Sequence, residues 1–450
     1  VKVVFVNHIS SGHLGGSELS LLSIIDRWTD RNRNLQPIIV TPAPGGAMEA
    51  ATRSRGWRTE VIAYSGWAVF DREGGHAQTR LRDSENAAAT LRLRELLRES
   101  RPDIVVTNTI VAPWGALAAA AEGIPHAWFV REFGAAAQGF DYPDGRGRVM
   151  RDLGDLSVTV FGNSVAVRDE LASFIPAEKL RVAYPWVDLD RVRSRAVERP
   201  IVSPFADNAG LRVAVIGRIA PGKGQWRVLE AIGLLASRGV RVDVCFVGEV
   251  AHRGEDRILK RRAARLLISD RVRFVGEQEN PFAFMAAADV CVTPSDREAF
   301  GRATLEALAV GRPVVATRAG GSAELVEPGV SGELFEPDDI AGLARTLESF
   351  WQDPRRAPSM RAAANDRADH LMTATLDVDS VIDALEAARG GEPASVPDHR
   401  RAWLESLESH TAITAPHLLR ARATATRWSR RLGRLAKDPR PAVRRRLGRN

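Results

Sequence analysis

Short apolar runs alternate along the chain with longer stretches in which apolar residues recur at helical spacing. In the first half, VKVVFVN, QPIIVT, TEVIAY, DIVVT, HAWFV and SVTVF are β-rich and of strand length. Between them, SELSLLSIIDRW, AMEAATRSRG, SENAAATLRLRELLRES and SVAVRDELASFI carry the helical period. Strands that are apolar throughout, separated by helices, predict an α/β domain whose parallel sheet is covered on both faces. The alternation weakens from Tyr184 to Gly210, a proline-containing polar stretch that reads as a connection between domains. It then restarts with LRVAVIG, WRVLEAIGLLASRG, RVDVCFVG, RILKRRAARLLI, RVRFVG, FAFMAAA, DVCVTP, RATLEALAVG and RPVVAT, predicting a second doubly wound domain. Two stretches, Gly66 to Arg82 and Arg131 to Gly147, follow neither period and read as functional loops.

Length agrees with this division, since 450 residues exceed what one core usually organises. Cys245 and Cys291 both fall in apolar runs and read as reduced core residues of a cytoplasmic protein. The opening VKVVFVNHIS is not read as a signal peptide, and no run approaches the roughly 18 apolar residues of a membrane span. The net charge of +7 is unevenly placed: Arg420–Asn450 holds 12 Lys/Arg against one Asp, which leaves −4 for the first 419 residues. Within this basic tail Trp428, Leu432 and Leu435 recur on one helical face, the pattern of a segment seated on an anionic membrane. A disordered solubilising tail, or one that binds nucleic acid without specificity, fits the same composition.

Candidate chemistry collects after strands. In IGRIAPGKG, Gly217, Gly222 and Gly224 permit a tight turn, and Arg218 and Lys223 place two cations beside strand-end amides. That is what a diphosphate requires, although a βα turn with solvated charges would read the same way. In DREAFGRATLEALAVG, Glu298 belongs to a strand–helix loop and Glu306 to the helix that Gly311 closes. Either carboxylate suits a pair of sugar hydroxyls; either also suits an ordinary ion pair or a solvated helix face. NHISSGHLGGSE offers Gly12, Gly15 and Gly16 without G-x-G-x-x-G spacing, with Ser17 as a candidate helix cap. VREF sets Arg131 and Glu132 at a strand end. No histidine–cysteine spacing suits a metal, and neither G-x-S-x-G nor G-x-x-x-x-G-K-[ST] occurs.

Together these segments resemble the retaining glycosyltransferases of family GT4, also called group 1, over residues 1 to 388. Glu298 and Glu306 form its E-x7-E pair, GRIAPGKG matches its phosphate-binding Arg and Lys, and GGSE its N-terminal glycine loop. The resemblance implies the GT-B fold: two facing Rossmann-like domains around a central cleft. The boundaries expected are 1–185 for the acceptor-side domain, 186–210 for the connection and 211–370 for the nucleotide-sugar domain. Residues 371–388 are a terminal helix that can pack back on the first domain, and 389–450 a linker and basic tail.

The same resemblance implies that Arg218 and Lys223 hold the donor diphosphate, with Glu298 at the donor sugar; these three are the catalytic candidates. Glu306 would bind the ribose. Gly15, Gly16, Gly217, Phe300, Gly301 and the loop Ala319–Ser322 would complete the donor site. Many members carry a histidine before the acid that follows the fifth strand. Arg131 occupies that place here, so Arg131, Glu132 and His13 are the candidates on the acceptor or sugar side, with His8 a further substitute. The implied reaction moves a sugar from a nucleoside diphosphate sugar to a glycan, lipid-linked or other envelope acceptor on the cytoplasmic side. It needs neither metal nor cofactor, the nucleotide sugar being a co-substrate. An epimerase or phosphorylase on the same plan, and a scaffold with vestigial clefts, are the competing readings.

Overall fold

The computed structural model describes residues 1–7, 14–68, 76–134, 142–198, 204–206, 210–251, 253–375 and 378–407, with backbone only for 76–82 and 374–375. His8, Gly12, His13 and the whole basic tail from Arg420 therefore lie outside the described residues. The chain divides into two units, Val1–Ser395 and Val396–Asn450, and of the second only a helical stretch over residues 398–407 is described at any length.

The larger unit holds two parallel sheets. The first contains β1 (Lys2–Val6), β2 (Gln36–Thr41), β3 (Arg58–Val61), β4 (Ile104–Thr107), β5 (His126–Val130), β6 (Thr159–Gly162) and β7 (Leu180–Val182). The second contains β8 (Leu211–Ile216), β9 (Val242–Val247), β10 (Val272–Gly276), β11 (Val290–Thr293), β12 (Val314–Thr317) and β13 (Gly332–Phe335). Their orders are β3-β2-β1-β4-β5-β6-β7 and β10-β9-β8-β11-β12-β13. The central strands are fully buried, Val3 to Val6 having no exposed surface, which is why they read as unbroken apolar runs. This is the GT-B arrangement, an α/β fold of two Rossmann-like halves.

Each order reverses once, between β1 and β4 and between β8 and β11. Ligands of doubly wound sheets bind beyond the carboxyl ends of the strands at that reversal. Asn7 and Asn108 lie beyond β1 and β4 and are hydrogen-bonded at 3.0 Å. Gly217 and Ser295 lie beyond β8 and β11.

Helix Val378–Arg389 packs against helix Gly16–Arg31 of the first domain, burying Val381, Ile382, Leu385 and Ala388 in that domain's core. Arg27 forks onto Asp379 at 2.8 and 2.6 Å, Arg31 reaches Asp383 at 2.6 Å, and the Trp28 indole donates to Glu386 at 2.7 Å.

Several elements depart from the sequence reading. Helix Leu189–Ala196 occupies the supposedly irregular connection, started by the Asp188 side chain accepting from the Arg191 amide at 2.9 Å. Helix Arg146–Asp155 begins at the end of one supposed loop, and helix His76–Ser100 begins inside the other. Trp114–Ala121 is helical but almost wholly buried, so it has no polar face to mark a period. The strands Leu180–Val182 and Gly332–Phe335 are edge strands too short for periodicity to show. Ser17 does not cap the first helix: Gly15 is the cap residue, and the Ser17 hydroxyl donates to Glu18 at 2.8 Å. Among the described residues no helix is long and apolar enough to cross a membrane.

Candidate functional site

Three loops of the second domain converge beyond β8 and β11. The loop after β8 turns back through Gly224, whose φ is +67°; a Cβ there would lie 1.8 Å from the Pro294 carbonyl oxygen. Only glycine lets this loop press onto the end of β11. The loop after β11 is held in return, the Asp296 amide donating to the Gly222 carbonyl at 2.8 Å. Arg227, on the helix that follows Gly224, ties both together: its guanidinium pairs with Asp296 and donates to the Pro337 carbonyl at 2.5 Å. The third loop is strapped on by backbone, since the Gly321 amide donates to the Glu298 carbonyl at 2.8 Å. Gly320 has φ +66°, and a Cβ there would stand 2.1 Å from that same carbonyl oxygen. AGGS is thus a close-approach motif set by where Glu298 must lie.

The first two loops enclose a cavity of about 160 Å³ whose lining includes Gly217, Lys223, Gln225, Ser295, Glu298 and Arg302, while the third supports Glu298 from outside the lining. The Lys223 ammonium donates to Glu298 Oε1 at 2.7 Å, and the Ser295 hydroxyl donates to the same oxygen at 2.6 Å. Burial alone would raise the Glu298 carboxyl; the charge and hydrogen bond of Lys223, with help from Ser295, outweigh it and hold the group below its ordinary range. Glu306 differs. It is buried in helix Arg302–Ala309, and Arg302 Nε donates to its Oε1 at 2.7 Å, yet burial prevails and its carboxyl is raised. Arg218 is exposed and not part of the cavity lining, and its carbonyl accepts from the Gln225 side chain at 2.8 Å.

Sequence-predicted residues thus gather: Lys223 and Glu298 touch, Gly217 and Gly301 line the cavity, and Glu306 stands behind it on Arg302. Phe300 is placed otherwise. Its side chain is buried in the core, the ring tilted against Tyr184 at 5.8 Å, so it supports the loop from beneath. Ser295, Gln225 and Arg302 were missed by the sequence reading. The signal for Arg302 was present, as its spacing of four residues from Glu306 is that of a helical ion pair.

The first domain closes on this site through its glycine loop. A Cβ on Gly16 would lie 3.5 Å from Cδ of Arg302, and one on Gly15 only 2.7 Å from Glu18 Oε2. Behind the glycines is a buried charged group. Arg131 donates to Asn108 Oδ1 at 2.7 Å and to the Ser20 hydroxyl at 3.1 Å, with its guanidinium 5.2 Å from the centre of the Phe129 ring. Among the described residues Arg131 Nη2, Glu132 Oε2 and Glu18 Oε2 are buried without a hydrogen-bond partner. Burial lowers Arg131 to about 10 against the raising effect of Glu132 and Glu18. It raises Glu132 to about 7, Arg131 opposing the shift and Glu18 adding to it. A larger cavity of about 370 Å³ lies away from these loops, between helix Gly16–Arg31, Trp186 and Met372. Its Arg27 and Asp379 are committed to each other and its Asp26 to Arg55, which leaves it little chemistry.

Comparison with known proteins follows the same division. Residues 14–191 match the family described as Glycosyltransferase Family 4, and residues 204–368 match Glycosyl transferases group 1. The chain is similar to a D-inositol 3-phosphate glycosyltransferase of Streptomyces griseus, 32% identical over 319 residues, covering 64% of this chain and 66% of the relative. It is 26% identical to the lipopolysaccharide core biosynthesis glycosyltransferase LpsE of Rhizobium meliloti, over 86% of this chain and 99% of that one. Against the first curated relatives it spans between about half and just under two thirds of their length. Among solved structures it resembles Anabaena Alr3699/HepE in complex with UDP-glucose, with a TM-score of 0.67 and 22% identity over 86% of this chain and 99% of that chain.

Proposed function

We propose that the chain is a glycosyltransferase of GT-B architecture and a member of family GT4, which transfers a sugar from a nucleoside diphosphate sugar with retention at the anomeric carbon. The observation that carries this reading is the Lys223–Glu298 pair at the mouth of a glycine-lined cavity, with Glu306 one helix turn behind Arg302. Breaking the bond from an anomeric carbon to a diphosphate develops negative charge on the leaving oxygens. Lys223 on its flexible stem, the exposed Arg218 and the amides near Gly217 are the groups that would stabilise it. Glu298, kept ionised by Lys223, would accept hydrogen bonds from hydroxyls of the donor sugar. Glu306 would accept those of the ribose.

Retention follows in this reading from attack on the face the leaving group departs from, with a phosphate oxygen receiving the acceptor proton. The cations of the chain take the place a metal would fill, so the reaction is proposed to be metal-independent. The relative LpsE points to an envelope glycan or lipid-linked acceptor, and the UDP-glucose of the Anabaena neighbour makes UDP-sugars the first donors to test. Arg131, Glu132 and His13 remain the proposed acceptor or sugar side. NMR of the product from a nucleotide-sugar panel tests the reading: retained configuration is expected, and an inverted centre overturns it. Activity is expected to survive a chelator.

The basic tail supports a cytoplasmic location on the inner face of the membrane, argued from sequence alone. Sedimentation with anionic liposomes should fall on truncation after Ala388. Equal, weak binding by both chains removes the membrane from the proposal.

A further inference from the structure

The cleft is bridged by a contact that the donor reading does not use. Arg297, immediately before Glu298, reaches out of the second domain to the first. Its guanidinium carbon lies 3.6 Å from the centre of the Phe133 ring, and Nη1 donates to Glu170 Oε2 at 2.9 Å. The receiving surface is held together by Arg146 of the first domain. Arg146 Nη2 donates to Glu170 Oε1 at 2.6 Å and to the Phe133 carbonyl at 3.0 Å, and Nε donates to the Gly134 carbonyl at 3.0 Å. One guanidinium thus fixes both the ring and the carboxylate between which Arg297 enters. A flat, delocalised cation suits such a socket, since it stacks on the ring while its edge meets the carboxylate.

Glu170 belongs to the short helix Val165–Leu171, whose other end also meets the second domain. Glu324 accepts there from the Val165 and Ala166 amides at 3.0 and 2.7 Å, and from the Tyr184 hydroxyl at 2.8 Å. Glu324 follows the glycine pair whose backbone straps Glu298. Both loops that frame Glu298 therefore rest on one helix of the opposite domain.

We infer that Arg297 is a positioning residue, a latch whose seating between Phe133 and Glu170 places the Glu298 loop only when the two domains are closed. Glu298 then meets the donor sugar in the closed cleft, where water is excluded and its attack on the donor suppressed. The inference rests on the donor-site reading for its consequence in catalysis, though not for the contact itself.

The test compares full-length wild type with Arg297→Ala, Arg297→Lys, Glu170→Gln and the double variant Arg297→Ala/Glu170→Gln. Hydrogen exchange should rise in both Arg297→Ala and Glu170→Gln at two places, helix Val165–Leu171 and the loop 296–301, and stay unchanged in helix Gln225–Ala236. Affinity for UDP, GDP or ADP should change less than about twofold, because the nucleotide contacts are not touched. The kcat for transfer should fall about tenfold, the scale of lost positioning, while the fraction of donor lost to water rises. The double variant should be no worse than Arg297→Ala, and Arg297→Lys should regain part of the loss. Exchange that rises on one side only, additive losses, or nucleotide affinity falling in step with kcat would each overturn the latch. If wild type binds no nucleoside diphosphate, the donor reading has failed, and the exchange data alone decide whether the two domains are coupled through Arg297.

Discussion

The two walls of the cleft treat charge differently. On the second domain's wall both carboxylates near the cavity have a cation at 2.7 Å, Lys223 for Glu298 and Arg302 for Glu306. On the first domain's wall Glu18, Arg131 and Glu132 are buried together, and each keeps one polar atom without a partner among the described residues. The same desolvation acts on both. It is overcome at Glu298, where a lysine and a serine converge on one oxygen; it prevails at Glu306 despite Arg302, and at Glu132, which Arg131 only partly compensates. Compensation depends on who supplies the partner. Lys223, Ser295 and Glu298 sit on loops tied to one another, whereas Arg131 spends its Nε and Nη1 on Asn108 and Ser20. Both walls retain buried polar atoms that a ligand or water can still satisfy, Arg302 Nη1 on the second and Arg131 Nη2, Glu132 Oε2 and Glu18 Oε2 on the first.

The largest effect expected is on stability, at the first wall. Arg131→Met removes a buried cation and leaves Glu18 and Glu132 facing each other, so unfolding free energy should drop by about 3 kcal/mol at pH 7. Urea denaturation measures this, and a loss under about 1 kcal/mol would mean the group is solvated.

Lys223→Ala is next, and it acts on the other wall. In the proposed reaction the charge that grows during bond breaking would lose its stabiliser, so kcat should fall on the order of 10²-fold with stability nearly kept. A rise in donor KM alone would return Lys223 to a ground-state role.

Glu132 separates the walls by pH. Its carboxyl rises from 4.5 to about 7 in the fold. A folded-state value above the unfolded one means the neutral form is favoured on folding. The stability so gained is complete below pH 4.5 and is lost as pH rises through 7. Glu132→Gln, which mimics the neutral acid, should match wild type near pH 4 and exceed it increasingly as pH rises to 8. Urea midpoints across that range check the sign, and parallel curves would show that Glu132 does not carry the titration.

The smallest effect is at Glu306, whose proposed ribose contacts do not react. Glu306→Ala should raise donor KM about tenfold and leave kcat close to wild type. Unchanged donor affinity with the fold intact would sharpen the comparison against the ribose assignment.

Most of this architecture is readable from periodicity, because a strand buried on both faces must be apolar throughout and the helices that cover it on one face only. Both sheets, and the placing of Lys223 and Glu298 in loops after strands, follow from that. The elements that escaped reading lack a period for physical reasons: Trp114–Ala121 is apolar all round, and Leu180–Val182 is only three residues long. Helix Leu189–Ala196 was legible through Asp188 and the Leu189–Val192 spacing, and was obscured by the polar, proline-containing stretch around it.

Within the site, the E-x7-E spacing and the glycine turns are local, and local chemistry is what a sequence displays. Apart from Arg302 and Glu306, four residues apart, the partner of each charge is not. Lys223 meets Glu298 across 75 residues, Arg131 meets Ser20 across 111, and Arg297 meets Glu170 across 127. Such pairs depend on strand order and on how the two domains close, and nothing in the neighbouring residues encodes either. Whether a carboxylate is held ionised or pushed toward its neutral form depends on those distant partners and on how much water the fold removes. The sequence alone therefore placed the charged residues at the mouths of two sheets, and the folded chain set the electrostatic character of each.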